Sequence, residues 1–167
     1  GSGRERFLCG LSMGGYGAAK IGLTFPRRYR AIGSLSNGNH AYKRVLDAAP
    51  GRADAMPGDI VNQRHWLCWG LGPGQSPVDT PHDLYALAKA NLPAAGPLPA
   101  LFHMVGTADR NLNSARHMRD FFRSLPDDPY RYTYFEQEMG DHTWQEWDRW
   151  IEIFLQWLPA DRTEGCR

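Results

Sequence analysis

Ser12 stands in Gly10-Leu11-Ser12-Met13-Gly14, directly after the apolar run RFLCGL and directly before the helix-like GYGAAKIGLTF. A serine hydroxyl attacks a carbonyl only when a base removes its proton. The pattern G-x-S-x-G, set between strand and helix, is one arrangement that holds the hydroxyl for such an attack. The serine then occupies a tight, strained turn, and glycine on either side leaves room for close backbone approach. Oγ of Ser12 would stand above the sheet, and the N–H of Met13 would face a developing oxyanion. A bare five-residue match is weak; the strand before it and the helix after it supply its context.

The base would be a histidine at a later strand end. His142, in EMGDHTW, lies between the last apolar strand and the last helix. In isolation it reads as a polar loop residue packed against Trp147, and the order Ser, acid, His favours the base. His103 sits in an apolar run and reads as a hydrogen-bonded core residue. His82 and His117 fall on helix surfaces, and His65 falls in a loose stretch. His40, after the second strand, is the rival, expected at the rim of a pocket. The third group must hold the imidazole in one tautomer. Asp109, in VGTADRN after the third strand, is the favoured carboxylate, against a bland reading as a helix cap. Asp128 and Asp141 compete, Asp141 lying too near His142 in sequence to orient it easily.

These residues need a scaffold that gathers strand ends. Short apolar runs alternate with helical patterns, which argues for βα units and a largely parallel sheet, an α/β fold. RFLCGL (6–11) reads as a first buried strand. The helix after it carries Ala18, Ile21, Gly22 and Phe25 on one face until Pro26 stops it. RAIGSLS (30–36) is a second strand, ending in a polar turn NGNH. PALFHMVGT (99–107) is a continuous apolar run, as expected for a strand covered on both faces. The pattern of LNSARHMRDFFRSL (112–125) is helical, with Leu112, Ala115, Met118, Phe122 and Leu125 in register. YRYTYFE (130–136) is the last strand. TWQEWDRWIEIFLQWL (143–158) is the last helix, with Trp147, Trp150, Ile151, Phe154, Leu155 and Leu158 as its stripe. Thr143 and Glu146 fit a capping box at its start.

Between about 41 and 99 the pattern loosens into a Pro-, Gly- and Trp-rich stretch. It contains one clear helix, TPHDLYALAKANL, with Thr80 or His82 near its start. We read it as an insertion over the carboxyl end of the sheet within one domain spanning 1–167. Trp66 and Trp69 in it are pocket candidates, with simple packing the equal alternative.

Composition narrows the classes. Of 167 residues 42% are hydrophobic and 22% charged, and the net charge is +1. That is an ordinary globular balance, with no basic block to attract nucleic acid. No apolar run approaches the roughly 18 residues that span a bilayer. Cys9, Cys68 and Cys166 lack metal-ligand spacing and describe no disulfide framework. Cys9 reads as a small buried hydrophobe, and the set leans toward a reducing, cytoplasmic compartment.

GLSMGGYGAAKIGLTFPRRYRAIGSLSNG, DLYALAKANLP, LFHMVGTADRNL and GDHTWQEWDRWIEIFLQWLP together resemble the α/β-hydrolase esterases of the esterase D and tributyrin esterase type. S-formylglutathione hydrolases, feruloyl esterases and mycolyltransferases are relatives of that group. The resemblance runs from Arg4 to Leu158. It implies Ser12 as nucleophile, Asp109 as acid, His142 as base and Met13 as oxyanion-hole residue. It also implies hydrolysis of small carboxylic esters through an acyl-enzyme, with no cofactor and no metal. Acyl transfer on the same fold, or a non-catalytic module acting by binding or oligomerisation, are the alternatives. The group carries several strands ahead of its nucleophile turn, whereas here the serine is residue 12. The expectation is therefore the C-terminal half of such a sheet, with the N-terminal strands and the second oxyanion N–H missing. Losing one such donor costs on the order of 10² to 10³ in rate. The first strand would then expose an unpaired edge through which copies of the chain could associate.

Overall fold

The computed structural model describes residues 6–42, 68–71, 75–93 and 96–160. Trp66 and His65 lie outside them. The described elements run β1 (Phe7–Leu11), α1 (Met13–Thr24), a 3-10 turn (Pro26–Arg28) and β2 (Ala31–Leu35). α2 (Leu84–Asn91), β3 (Ala100–Gly106), α3 (Leu112–Arg123), β4 (Thr133–Gln137) and α4 (Trp144–Ala160) follow. The four strands form one sheet in the order β1-β2-β3-β4, every pair parallel.

Burial follows position in that order. Every residue of β2 and β3 is buried, as a strand covered on both faces requires. β1 and β4 lie at the two edges and are only partly covered. One core cluster unites Tyr16, Leu23, Ile32, Leu84, Leu101, Met118, Phe122 and Tyr130. The other packs Leu35, Phe102 and Met104 against Trp147, Trp150 and Phe154 of α4. Helices α1 and α3 thus cover one face and α4 the other.

Several local expectations shift. The inward face of α1 is Gly15, Tyr16, Ala18, Ala19, Gly22 and Leu23, while Ile21 and Phe25 are exposed. Small residues win this face because α1 crosses the sheet closely; a Cβ on Gly22 would collide with the Ile32 side chain. Leu155 of the α4 stripe is likewise exposed. The capping box does not close, because the Thr143 N–H donates to the Asp141 carbonyl at 2.9 Å. The Glu146 Oε2 is left buried without a partner. α2 is capped by Asp83, whose Oδ1 accepts the Tyr85 N–H at 2.9 Å, so Thr80 and His82 precede the helix. Cys9 is exposed on the edge strand. Its Sγ leans over Gly33, where a Cβ would come within 2.8 Å, and desolvation there raises the thiol to about 11.

Candidate active site

The turn between β1 and α1 is built by contact. Ser12 has φ 54°, a left-handed conformation that costs an ordinary residue energy and is held here by its surroundings. Its N–H donates to the Leu35 carbonyl of β2 at 2.8 Å, and its carbonyl accepts the N–H groups of Gly15 and Tyr16. Glycine matters unequally around it. A Cβ on Gly10 would strike the Gly14 carbonyl, and one on Gly15 would lie 2.9 Å from the Leu35 carbonyl. A Cβ on Gly14 itself would meet open space. The close approach therefore requires Gly10 and Gly15 rather than the last glycine of the pentad. Although Ser12 is the N-cap of α1, its side chain makes no capping bond, so the hydroxyl is available to another group. Met13 follows at the first helical position, at the positive end of the helix.

Two further loops meet above this turn. After β3, the Thr107 N–H donates to the Gln137 carbonyl and the Ala108 N–H to the Gly140 carbonyl, each at 2.9 Å. The Met139 N–H returns a bond to Thr107 Oγ1 at 2.8 Å. These ties fasten the loop carrying Asp109 to the loop carrying His142. As a result Ser12, Asp109 and His142, which no local interaction could join, converge. His142 Nε2 lies 2.9 Å from Ser12 Oγ. Its Nδ1 lies 2.9 Å and 3.0 Å from the two oxygens of Asp109.

Partner chemistry assigns the protons. A carboxylate only accepts, so Nδ1 carries the hydrogen; Nε2 is then the acceptor, and Ser12 O–H donates to it. The Asp109 carboxylate is buried and its Oδ1 also accepts the Asn111 N–H at 2.8 Å. Asn111, not Asp109, is the N-cap of α3. Asp141 touches His142 only through the backbone, its Oδ1 accepting the His142 N–H at 2.6 Å. Asp128 accepts the Tyr132 N–H, at the other end of β4. The His142 ring does pack edge-on against Trp147, centroids 4.8 Å apart at 86°.

The remaining candidates lie elsewhere. His103 is buried within β3. Its Nε2 donates to the Asn37 carbonyl at 2.7 Å, and its Nδ1 accepts from Tyr132 O–H at 2.6 Å. Burial lowers its pKa to about 4, so it stays neutral and structural. His117 is not a bare surface residue: its Nδ1 lies 2.7 Å from Tyr85 Oη and its ring packs beside Tyr42. His82 meets Lys20 Nζ at 2.7 Å and stacks on Trp69. His40 and Trp69 both pack on Tyr16, one helical turn beyond the nucleophile. Met13, Met139 and Trp144, within three residues of Ser12 or His142 in the chain, are strongly exposed. Among the described residues no group of three His, Cys, Asp or Glu could hold a metal ion.

Two groups at this site escape a reading by sequence pattern, Ser36 and Asn111. The polar run after β2 looks like a solvated turn, yet Ser36, Asn37 and Asn39 are fully buried. The usable signal was a run of polar residues without a charge, Ser36 to His40, directly after a fully buried strand.

No protein-family model matches the chain. An acetyl esterase from Caldicellulosiruptor saccharolyticus is 25% identical over 159 residues, 93% of this chain and 55% of that protein. Two solved Staphylococcus aureus structures superpose with TM-scores of 0.67 over 93% of this chain and 55% of theirs. One is FphF, a fluorophosphonate-binding serine hydrolase in its substrate-bound form, at 22% identity. The other is the S-formylglutathione hydrolase FrmB, as apoenzyme, at 25% identity. The fold is that of the α/β-hydrolases, and the chain spans about half the length of these relatives.

Proposed function

We propose that this chain carries the catalytic triad of a serine carboxylesterase acting on small carboxylic esters. The observation that carries the reading is the 2.9 Å approach of His142 Nε2 to Ser12 Oγ, with Asp109 on the opposite ring nitrogen. His142 takes the Ser12 proton as Oγ attacks the ester carbonyl, and Asp109 stabilises the imidazolium that forms. The Met13 N–H, at the start of α1, receives the oxyanion. Collapse of the tetrahedral intermediate expels the alcohol, which takes its proton from His142. The same imidazole then removes a proton from water, and attack on the acyl-enzyme releases the acid and regenerates Ser12. The exposed Met13, Met139 and Trp144 favour an apolar acyl or alcohol group. The GLSMGGYGA stretch supports the esterase D and tributyrin esterase type within the serine hydrolases. The outer edge of β1, unpaired among the described residues and with Phe7 and Cys9 exposed, supports association of two copies by strand pairing.

Fluorophosphonate labelling tests this. The 167-residue chain takes one label, mapped by mass spectrometry to Ser12, and Ser12→Ala takes none. A burst of p-nitrophenol from p-nitrophenyl acetate accompanies it. No label on the parent chain would make it a non-catalytic module of the same fold. Product analysis with an added alcohol separates hydrolysis from acyl transfer.

A further inference from the structure

β2 contributes no member of the triad, yet its carboxyl end touches the support of all three. The Leu35 carbonyl accepts the N–H of Ser12 at 2.8 Å. The Ser36 carbonyl accepts the Asn111 side-chain amide at 2.9 Å, and Asn111 in turn donates its backbone N–H to Asp109. The Ser36 hydroxyl accepts the indole N–H of Trp147 at 2.8 Å, and the Trp147 ring is the wall against which His142 stands. Ser36 is fully buried, has φ 50°, and ties its own N–H to the Met104 carbonyl of β3 at 2.8 Å. A strained residue with every polar group engaged is one whose surroundings hold it in place.

We propose that Ser36 is a positioning residue: it locks the Trp147 indole, and through it fixes the His142 imidazole between Ser12 and Asp109. The proposal rests on the esterase reading and adds a residue to it. The Ser36 hydroxyl makes no contact with the reacting atoms in this arrangement. Its effect passes through the angle and depth of the Trp147 ring, and catalytic geometry is sensitive to shifts of that size.

Two variants separate this link from general stability. Ser36→Gly keeps the left-handed backbone without strain and removes the CH2OH side chain with its hydroxyl. Trp147→Phe keeps an aromatic ring beside His142, removes the N–H and trims the indole to a single ring. Each is expected to lower the rate constant of fluorophosphonate labelling at Ser12 by about 10- to 100-fold, with the KM for p-nitrophenyl acetate little changed. The double variant falls by clearly less than the product of the two single losses, because the bond both remove is lost only once. Labelling at the parent rate in Ser36→Gly, or losses that multiply in the double variant, would overturn the proposal. A second readout does not depend on activity: the proton resonance of His142 Nδ1–H, sharp in the parent chain and broadened in Ser36→Gly. If the parent takes no label, the esterase reading fails and this resonance alone decides the role of Ser36. Its absence from the parent, or its persistence unbroadened in Ser36→Gly, would overturn the positioning role.

Discussion

The Asp109 carboxylate receives donors from two directions, the Nδ1–H of His142 and the backbone N–H of Asn111. Asp109→Asn separates these jobs. The amide oxygen still accepts from Asn111, so the start of α3 is kept. The amide NH2 turned toward Nδ1, however, forces the imidazole proton onto Nε2, where it blocks the Ser12 hydroxyl. The expected outcome is a loss of about 10⁴ in labelling rate with the thermal midpoint close to that of the parent, checked by parallel kinetics and melting. At this scale the sequence was legible where spacing is local. The pentad around Ser12 could be read because strand, turn and helix are contiguous. The cap at Thr143 could not, because its N–H turns back to Asp141, inside the loop that delivers His142.

At the scale of elements, β3 shows how a buried strand tolerates a polar side chain. His103 is fully enclosed but bonded on both ring nitrogens, so the neutral form is satisfied and the charged form is not. Its folded pKa of about 4 lies below the ordinary value of 6.5. The unfolded chain therefore binds the proton more tightly, and the stability His103 contributes is fully present above pH 6.5 and lost as pH falls toward 4. The full swing is on the order of 3 kcal/mol. Denaturant unfolding at pH 7 and pH 4.5 checks this: the parent loses stability over that interval, and His103→Gln flattens the loss. A parent whose stability is unchanged there contradicts the assignment. The existence and order of the elements followed from apolar periodicity, while the buried face of α1 did not. A hydropathy pattern favours Ile21 and Phe25 for that face. The closeness of α1 to the sheet instead selects glycine and alanine.

The whole molecule is a parallel four-stranded sheet whose β1 edge pairs with nothing on its outer side among the described residues. Phe7 is 41% exposed there. A flat apolar edge invites pairing with another strand, and a lysine on it opposes pairing. We expect Phe7→Lys to shift the chain toward the monomer in size-exclusion chromatography with light scattering. Its intrinsic labelling rate at Ser12 should be retained, since Phe7 lies at the far end of β1. Equal masses for parent and variant would remove β1 as the contact. The candidate site sits at the opposite, carboxyl end of the same strands, where parallel order gathers the loops after β1, β3 and β4.

The sequence alone determined the strand–turn–helix unit that presents Ser12 and the alternation of apolar runs that makes the sheet parallel. Both depend on neighbours within a few residues, where periodicity and backbone sterics act directly. Only the tertiary structure decided which of six histidines meets the serine and which carboxylate meets that histidine, because the first contact spans 130 positions and the second 33, and both depend on how loops are tied. It alone also placed Ser36 beneath them: a short polar run looks the same in solvent or in a core, and what distinguishes the two is the helix α4 that closes over it.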